Sequence, residues 1–278
     1  MVVTGAARGI GRATAGALAA KGAVVAIGDL DLDLAEQAAS EVGGGAIGLE
    51  LDVTDRSGFT AFLDEVERQL GPIYSIINNA GIMPTNPFDE EPDESTVRQV
   101  AINLLAVMHG TKEGMKRFKP RDEGHIINIS SAAGKIAGAQ VATYSATKFG
   151  VAGFCESIAG ELQNTNVEIS CVYPSLTNTG LISGLKGLPG LKFIEPEDVA
   201  NAIVATLEQP RFSVPVPRYM GAMLNFNQAL PYVARAFLGK VMKADSVIME
   251  ADTSARSEYE ARVRRAVSTD RETTTINK

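Results

Sequence analysis

The 278-residue sequence has no tryptophan, two cysteines and two histidines. Two histidines leave no further one to complete a histidine-based metal centre. Two cysteines do not make a disulfide framework. Cys155 lies in a helix-like stretch and Cys171 in the strand-like run "VEISCVY". Both read as small buried hydrophobes, which fits a reducing cytoplasm. Positive charge is also scarce: 26 Lys and Arg stand against 33 Asp and Glu, a net charge of −7 and a pI of about 5.1. A chain of this balance is not expected to bind nucleic acid. No apolar run reaches the length of a membrane span. The start, "MVVTGAARG", has neither the basic leader nor the apolar run of a signal peptide.

What is present is a 45% hydrophobic chain, enough for one large core. Strand-like and helix-like segments alternate. "MVV" leads to a helix from about Ile10 to Lys21, then "AVVAIGD" to "DLAEQAASEV", and "AIGLELDV" to "RSGFTAFLDEVERQL". "IYSIINNAG" precedes one long helix, "DESTVRQVAINLLAVMHGTKEGMKRF". "GHIINISS" precedes "YSATKFGVAGFCESIAGELQ", and "NVEISCVYP" is the sixth strand. Several strands are near-continuous apolar runs, as strands covered on both faces should be. The expected fold class is α/β, a doubly wound parallel sheet of Rossmann type. The expected organisation is one catalytic domain over 1–210 with a substrate loop at about 180–197. A helical C-terminal cover over 211–265 and a polar, frayed tail over 266–278 follow.

"TGAARGIG" sits in the first strand–helix turn. Gly5, Gly9 and Gly11 remove side chains where the backbone turns and where a pyrophosphate would approach. The helix then presents free N–H groups and a positive dipole end. The spacing G-x-x-x-G-x-G also fits an ordinary glycine-rich turn; its place in the first turn of the sheet favours a dinucleotide. Asp29 ends the second strand, eighteen residues after Gly11. An acid there takes both ribose hydroxyls and repels a 2′-phosphate, which favours NAD over NADP. The alternative is a helix N-cap, since Asp31 and Asp33 follow. Arg8 points slightly the other way, as a base beside the loop.

"ATYSATKFG" places Tyr144 and Lys148 four residues apart, on one helix face. Alone, the pair fits two exposed side chains as well as an acid–base pair. Taken with "TGAARGIG", "LDVTD", "NNAG", "INLLA" and "NISS", in that order, the chain resembles the classical short-chain dehydrogenase/reductase family over about residues 2–180. The resemblance implies roles residue by residue. Gly5, Arg8, Gly9, Ile10 and Gly11 would form the phosphate loop, and Asp52 and Val53 the adenine contacts. Asn79, Ala80 and Gly81 would end the fourth strand beside the cofactor. Asn103 would bend its helix and hold a water near the lysine, although alone it also fits a helix-surface amide. Ser131, thirteen residues before Tyr144, would be the catalytic serine, with Ser130 pointing to the other side of the strand. Pro174, Thr177 and Thr179 would follow the sixth strand against the cofactor. His109 and His125 match no functional position.

The physical reading of the pair then closes. A free tyrosine has a pKa of about 10, and lowering it by roughly 3 units needs about 4 kcal/mol. An ammonium about 4 Å away supplies on the order of 4 kcal/mol at an effective dielectric near 20. Tyr144 is therefore expected as general base in alcohol oxidation and general acid in carbonyl reduction, with its pKa lowered by Lys148. Lys148 would also bind the nicotinamide ribose. Ser131 would hydrogen-bond the substrate oxygen.

The sequence departs from the family in a short first strand and in two later places. Pro174–Ser175 replaces the usual proline–glycine after the sixth strand. The C-terminus lacks the usual strand and glycine-rich segment, so a dimer through the helices bearing Asn103 and Tyr144 is expected rather than a tetramer. In its place residues 211–243 carry Arg211, Arg218, Arg235, Lys240 and Lys243 and no acid. This segment is +5, which leaves −12 for the rest of a chain whose total is −7. It is read as helices over the substrate cleft or, alternatively, as a basic amphipathic surface for anionic membrane. Met83, Val141 and Leu181 near the expected cleft favour a hydrophobic, steroid-like or lipid-like secondary alcohol or ketone. The alternative function is a non-catalytic NAD(H)-binding sensor or scaffold, which would more often lack the tyrosine or the lysine. A sugar-nucleotide epimerase or dehydratase is disfavoured by the glycine spacing.

Overall fold

A computed structural model describes residues 1–185, 192–241, 256, 257, 259–261 and 263. Seven parallel strands lie in the order β3-β2-β1-β4-β5-β6-β7: β1 (Val2–Thr4), β2 (Ala26–Asp29), β3 (Ile47–Glu50), β4 (Ser75–Asn78), β5 (Gly124–Ile129), β6 (Val167–Pro174) and β7 (Ser213–Val216). β1 is only three residues long but pairs with β2 on one side and β4 on the other. The order reverses between β1 and β4, which makes the carboxyl ends of these strands the crevice where ligands bind in such sheets.

Alternation along the strands splits the core into two layers. Val2, Ile76, Ile126 and Cys171 point to one face, beneath α3 (Arg56–Leu70), α5 (Ala106–Phe118) and α6 (Ala142–Leu162). Val3, Ile27, Ile77, Ile127 and Val172 point to the other, beneath α1 (Gly9–Ala20), α2 (Leu32–Val42) and α7 (Pro196–Glu208). Burying each such Ile or Val stabilises the fold by about 1.5–3 kcal/mol. The doubly wound sheet expected from the apolar runs is the one observed. The helix read as "RSGFTAFLDEVERQL" is α3 residue for residue.

Three features differ from expectation. The long fourth helix is two helices, α4 (Asp93–Val100) and α5, joined by a π-helical turn over Ala101–Leu105 that contains Asn103. A seventh strand, β7, exists where the C-terminus was read as lacking one. Pro215 hid it; the proline is tolerated because β7 is an edge strand and serves β6 through carbonyls, as Cys171 N–H donates to Phe212 and Ser175 N–H to Val216. α7 also went unread, although Glu195 and Asp198 form a capping box around Pro196.

Beyond β7, α8 (Met220–Ala229) buries Met220 and Leu224 in the first core layer. α9 (Tyr232–Val241) carries the exposed Tyr232, Val233 and Phe237. Residues 186–191 of the expected substrate loop, Met242 and Lys243, and the tail 266–278 lie outside the described residues. The cysteines Cys155 and Cys171 are buried and free. His125 is buried against Ser170, 2.7 Å from its hydroxyl, and burial pushes its pKa down to about 4.

Candidate active site

The glycine loop runs from β1 into α1. Gly5 has φ +62°, a conformation that L side chains rarely adopt. A Cβ on Gly11 would stand 2.5 Å from the Gly5 carbonyl oxygen and 2.6 Å from Asn79 Nδ2, so only glycine fits. Arg8 is the N-cap residue, makes no side-chain cap, and no acid occupies the first turn. The N–H groups at this helix end therefore have no side-chain acceptor at the cap. That donor set, in a cradle without side chains, fits the phosphates of a dinucleotide. Ile10 packs against the second core layer.

The loop is braced from both neighbouring strands. Asp29 accepts the Ala7 N–H at 3.0 Å, while Asp31 is the residue that caps α2. The cap reading of Asp29 is thus wrong, and its carboxylate lies beside the glycine loop. From β4, Asn79 Nδ2 donates to the Thr4 and Gly5 carbonyls at 2.9 and 3.1 Å. Thr4 Oγ1 accepts the N–H groups of Asn79 and Ala80. Asp52 is held by Thr54 at 2.7 Å and by the buried Arg98 at 3.6 Å, and Val53 is buried in the first core layer. From β6, which ends at Pro174, the Thr179 side chain comes within 3.4 Å of a Cβ built on Gly9. The Thr177 hydroxyl donates to the Ser175 carbonyl at 2.9 Å. The buried Ser175 hydroxyl has no partner among the described residues.

Asn103 is fully buried at the π turn. Its amide clamps the Ile82 backbone, accepting at 2.9 Å and donating at 2.8 Å, and reaches Thr147 Oγ1 at 3.3 Å. Gly81 fits between Asn103 and Lys148: a Cβ there would lie 3.3 Å from Asn103 Oδ1 and 3.7 Å from Lys148 Nζ. The chain of contacts Gly5–Ala80–Gly81–Lys148 therefore joins the glycine loop to the tyrosine–lysine pair.

Tyr144 and Lys148 lie in the first two turns of α6, both buried. Lys148 Nζ donates to the Ile129 carbonyl at 2.9 Å and stands 5.7 Å from the Tyr144 ring centre. Ser131 lies beside the Tyr144 phenol and accepts the Ala133 N–H at 3.1 Å. Ser130 turns away and donates to the Lys148 carbonyl at 2.9 Å. The electrostatics differ from expectation. In the protein alone, burial pushes the Tyr144 phenol above its ordinary value, and Ser131 only offsets this in part. Burial also lowers Lys148 to about 8. Desolvation acts on both groups at once, and a lysine that is itself costly to charge is a weaker partner than the point charge assumed from spacing.

Met83, Val141, Ile182 and Leu185 pack with Tyr144 as a third apolar cluster, and Leu181 joins it from the rim. Two further residues went unread: Tyr259, whose phenol oxygen accepts the Met83 N–H at 2.7 Å, and Arg256, which donates to the Met83 carbonyl at 2.9 Å. No local pattern marks their place at the cleft, because Met83, which both of them hold, lies more than 170 residues away.

A glycine-lined helix start and a buried Tyr–Lys pair with Ser131 beside it, at the reversal point of a parallel sheet, define a Rossmann-type oxidoreductase class. The short chain dehydrogenase family profile matches residues 1–186. The chain belongs to that family. It is 33% identical over 214 residues to the 3-oxoacyl-[acyl-carrier-protein] reductase of Mus musculus, covering 75% of this chain and 90% of the relative. It is 34% identical over 214 residues to the cis-4-hydroxycyclohexanecarboxylate dehydrogenase of Sinomonas cyclohexanicum, covering 73% and 86%. Among solved structures, a short chain dehydrogenase/reductase from Burkholderia phymatum in complex with NAD superposes with a TM-score of 0.74 at 22% identity. That match covers 81% of this chain and 90% of the other. An alcohol dehydrogenase from Thermococcus sibiricus complexed with 5-hydroxy-NADP gives 0.69 at 25% identity, covering 77% and 93%.

Proposed function

We propose that this protein interconverts a hydrophobic secondary alcohol and its ketone with a nicotinamide dinucleotide, NAD in preference to NADP. The observation that carries the reading is the buried Tyr144 and Lys148 with the half-buried Ser131 beside the phenol, next to Gly81 and Ala80 and so to the glycine loop. Two similar relatives are named for a 3-oxoacyl group and a hydroxycyclohexane, a ketone and a secondary alcohol. The apolar cluster around Tyr144 suits such substrates.

Gly5, Arg8, Gly9, Ile10 and Gly11 would hold the pyrophosphate, Asp29 the adenosine ribose, and Asp52 and Val53 the adenine pocket. Asn79, Ala80, Gly81, Pro174, Thr177 and Thr179 would line the remainder. When bound, the nicotinamide supplies the hydride in reduction and takes it in oxidation. Ser131 and Tyr144 take the substrate oxygen between their hydroxyls. In reduction Tyr144 donates its proton to that oxygen, and burial keeps the phenol in the protonated form this needs. In oxidation it accepts the proton, with the Lys148 ammonium favouring the phenolate. Asn103 fixes the Ile82 backbone and so the floor between the lysine and the glycine loop. The decisive experiment is NAD(H)- and NADP(H)-linked turnover of hydrophobic alcohols and ketones, beside Tyr144→Phe. Tight NADH binding with no turnover of any member would favour the sensor reading instead.

Two partner readings accompany this one. An apolar groove between α5 and α6, lined by Met108, Met115, Phe154 and Ile158, favours a homodimer through these helices. Gly153 and Gly160 on α6 have open space where a side chain would be, which lets a second backbone approach. Phe154→Glu should give a monomer by light scattering; an unchanged mass sinks the reading. The second is peripheral contact with anionic membrane. Tyr219, Phe226, Tyr232, Val233 and Phe237 are exposed among Arg211, Arg218 and Lys240. Failure to sediment with phosphatidylserine vesicles at low salt would exclude it.

A further inference from the structure

Arg256 and Tyr259 lie far along the chain from Tyr144, yet both are buried against Met83, which packs with it. Arg256 is 2% exposed and Tyr259 6%. The Arg256 guanidinium donates to three backbone carbonyls: Met83 at 2.9 Å, Leu181 at 3.1 Å and Ser183 at 3.2 Å. Met83 follows β4, and Leu181 and Ser183 follow β6, so one side chain ties together two loops at the carboxyl edge of the sheet. Its charge is met by Glu260, with Nε 3.3 Å from Oε1. The guanidinium also stacks on Tyr259, 5.1 Å from the ring centre, which aligns the two side chains.

Tyr259 then completes the enclosure. Its hydroxyl takes the Met83 N–H, so Met83 is held at both its N–H and its carbonyl by the same C-terminal pair. Met83 packs in the apolar cluster that contains Tyr144, Val141, Ile182 and Leu185. Burial holds the Tyr259 phenol protonated, and Tyr144 is close enough to add to that effect. The guanidinium donors reach four acceptors, so Arg256 offers no simple anchor for an acidic substrate. It acts through the loops it holds.

We propose that Tyr259 is a specificity-determining wall of the substrate cleft and that Arg256 is the positioning residue that clasps the loops after β4 and β6 against it. The cleft is thereby closed by Arg256 and Tyr259, and the chain length of the ketone it accepts is set by Tyr259. This rests on the reductase reading of the same site.

The test is NADH-linked reduction of a graded series of linear methyl ketones by the full-length protein and its variants, with amide hydrogen exchange measured in parallel. Tyr259→Ala should raise kcat/KM for the longest ketone relative to the shortest by about tenfold or more, with NADH affinity unchanged. Arg256→Ala should raise ketone KM more than it lowers kcat, and Arg256→Lys should restore part of the loss. Tyr259→Phe keeps the ring and removes only the hydroxyl. It should leave the ketone ranking intact while speeding exchange at the Met83 amide. An unchanged length profile in Tyr259→Ala would overturn the specificity role. If no ketone turns over in the wild type, the reductase reading fails, and exchange alone judges the clasp. Faster exchange near Met83 and Ser183 in Arg256→Ala supports it; unchanged exchange at both overturns it.

Discussion

The two halves of the cleft are built in different ways. The half around the glycine loop is backbone and small residues, braced by short polar bonds from adjacent strands: Asp29 to Ala7, Asn79 to Gly5, Thr4 to Ala80. The half around Met83, Val141 and Leu185 is apolar side chain, held in place by Arg256 and Tyr259 from the far end of the chain. A surface that must meet phosphates gains from fixed N–H groups and absent side chains. A surface that must meet an apolar substrate gains from side-chain bulk, and its shape depends on what holds the loops. The first half takes its support from strands of the sheet, and the second takes part of its support from residues outside it.

The sharpest way to separate the halves is Tyr144→Phe. It should lower turnover by about 10²–10⁴-fold while NADH binds as before. Loss of NADH binding, followed by fluorescence titration, would mean that the halves are not independent. The next effect concerns Lys148, whose folded pKa of about 8 lies below its unfolded value near 10.5. Between these values the unfolded chain binds more protons at this group, so its contribution to stability rises with pH. The burial cost is full below pH 8 and is relieved as pH rises toward 10.5, on the order of 3 kcal/mol in all. In Lys148→Met this pH-dependent gain should vanish. The difference in unfolding free energy, wild type minus variant, should therefore grow more favourable to the wild type from pH 8 to 10. A flat difference would show that the ammonium is not desolvated. The smallest effect is on the polar half. Asp29→Ala removes the proposed ribose acceptor and the bond to Ala7, and should shift the NADPH-to-NADH ratio of kcat/KM upward by about tenfold, or ~1.4 kcal/mol. The ranking of ketones should not change; a reordered ranking would tie Asp29 to the substrate half.

Much of the first half was legible because it is local. Glycines, an acid at a strand end and a Tyr–Lys spacing sit within single strand–helix units, and the fold brings each unit to the same edge. The doubly wound order was legible for the same reason, since apolar runs mark strands covered on both faces. The bend at Asn103 was implied by the family resemblance, but its π form was not legible, because nothing in "VAINLLAV" interrupts helical periodicity; the turn accompanies the bond from the Ile82 N–H to Asn103. β7 was hidden by Pro215, which only an edge position tolerates.

The sequence by itself determined the family, the sheet and the glycine turn, and singled out Tyr144 and Lys148 as the candidate proton-handling pair, because each depends on residues close together in the chain. Tertiary structure alone decided the state of those residues and the shape of the substrate side. Burial holds Tyr144 high and Lys148 low, whereas spacing suggested a lowered phenol. Arg256 and Tyr259 reach the cleft only because the chain returns to it, and a contact across more than 170 residues leaves no mark on the local pattern.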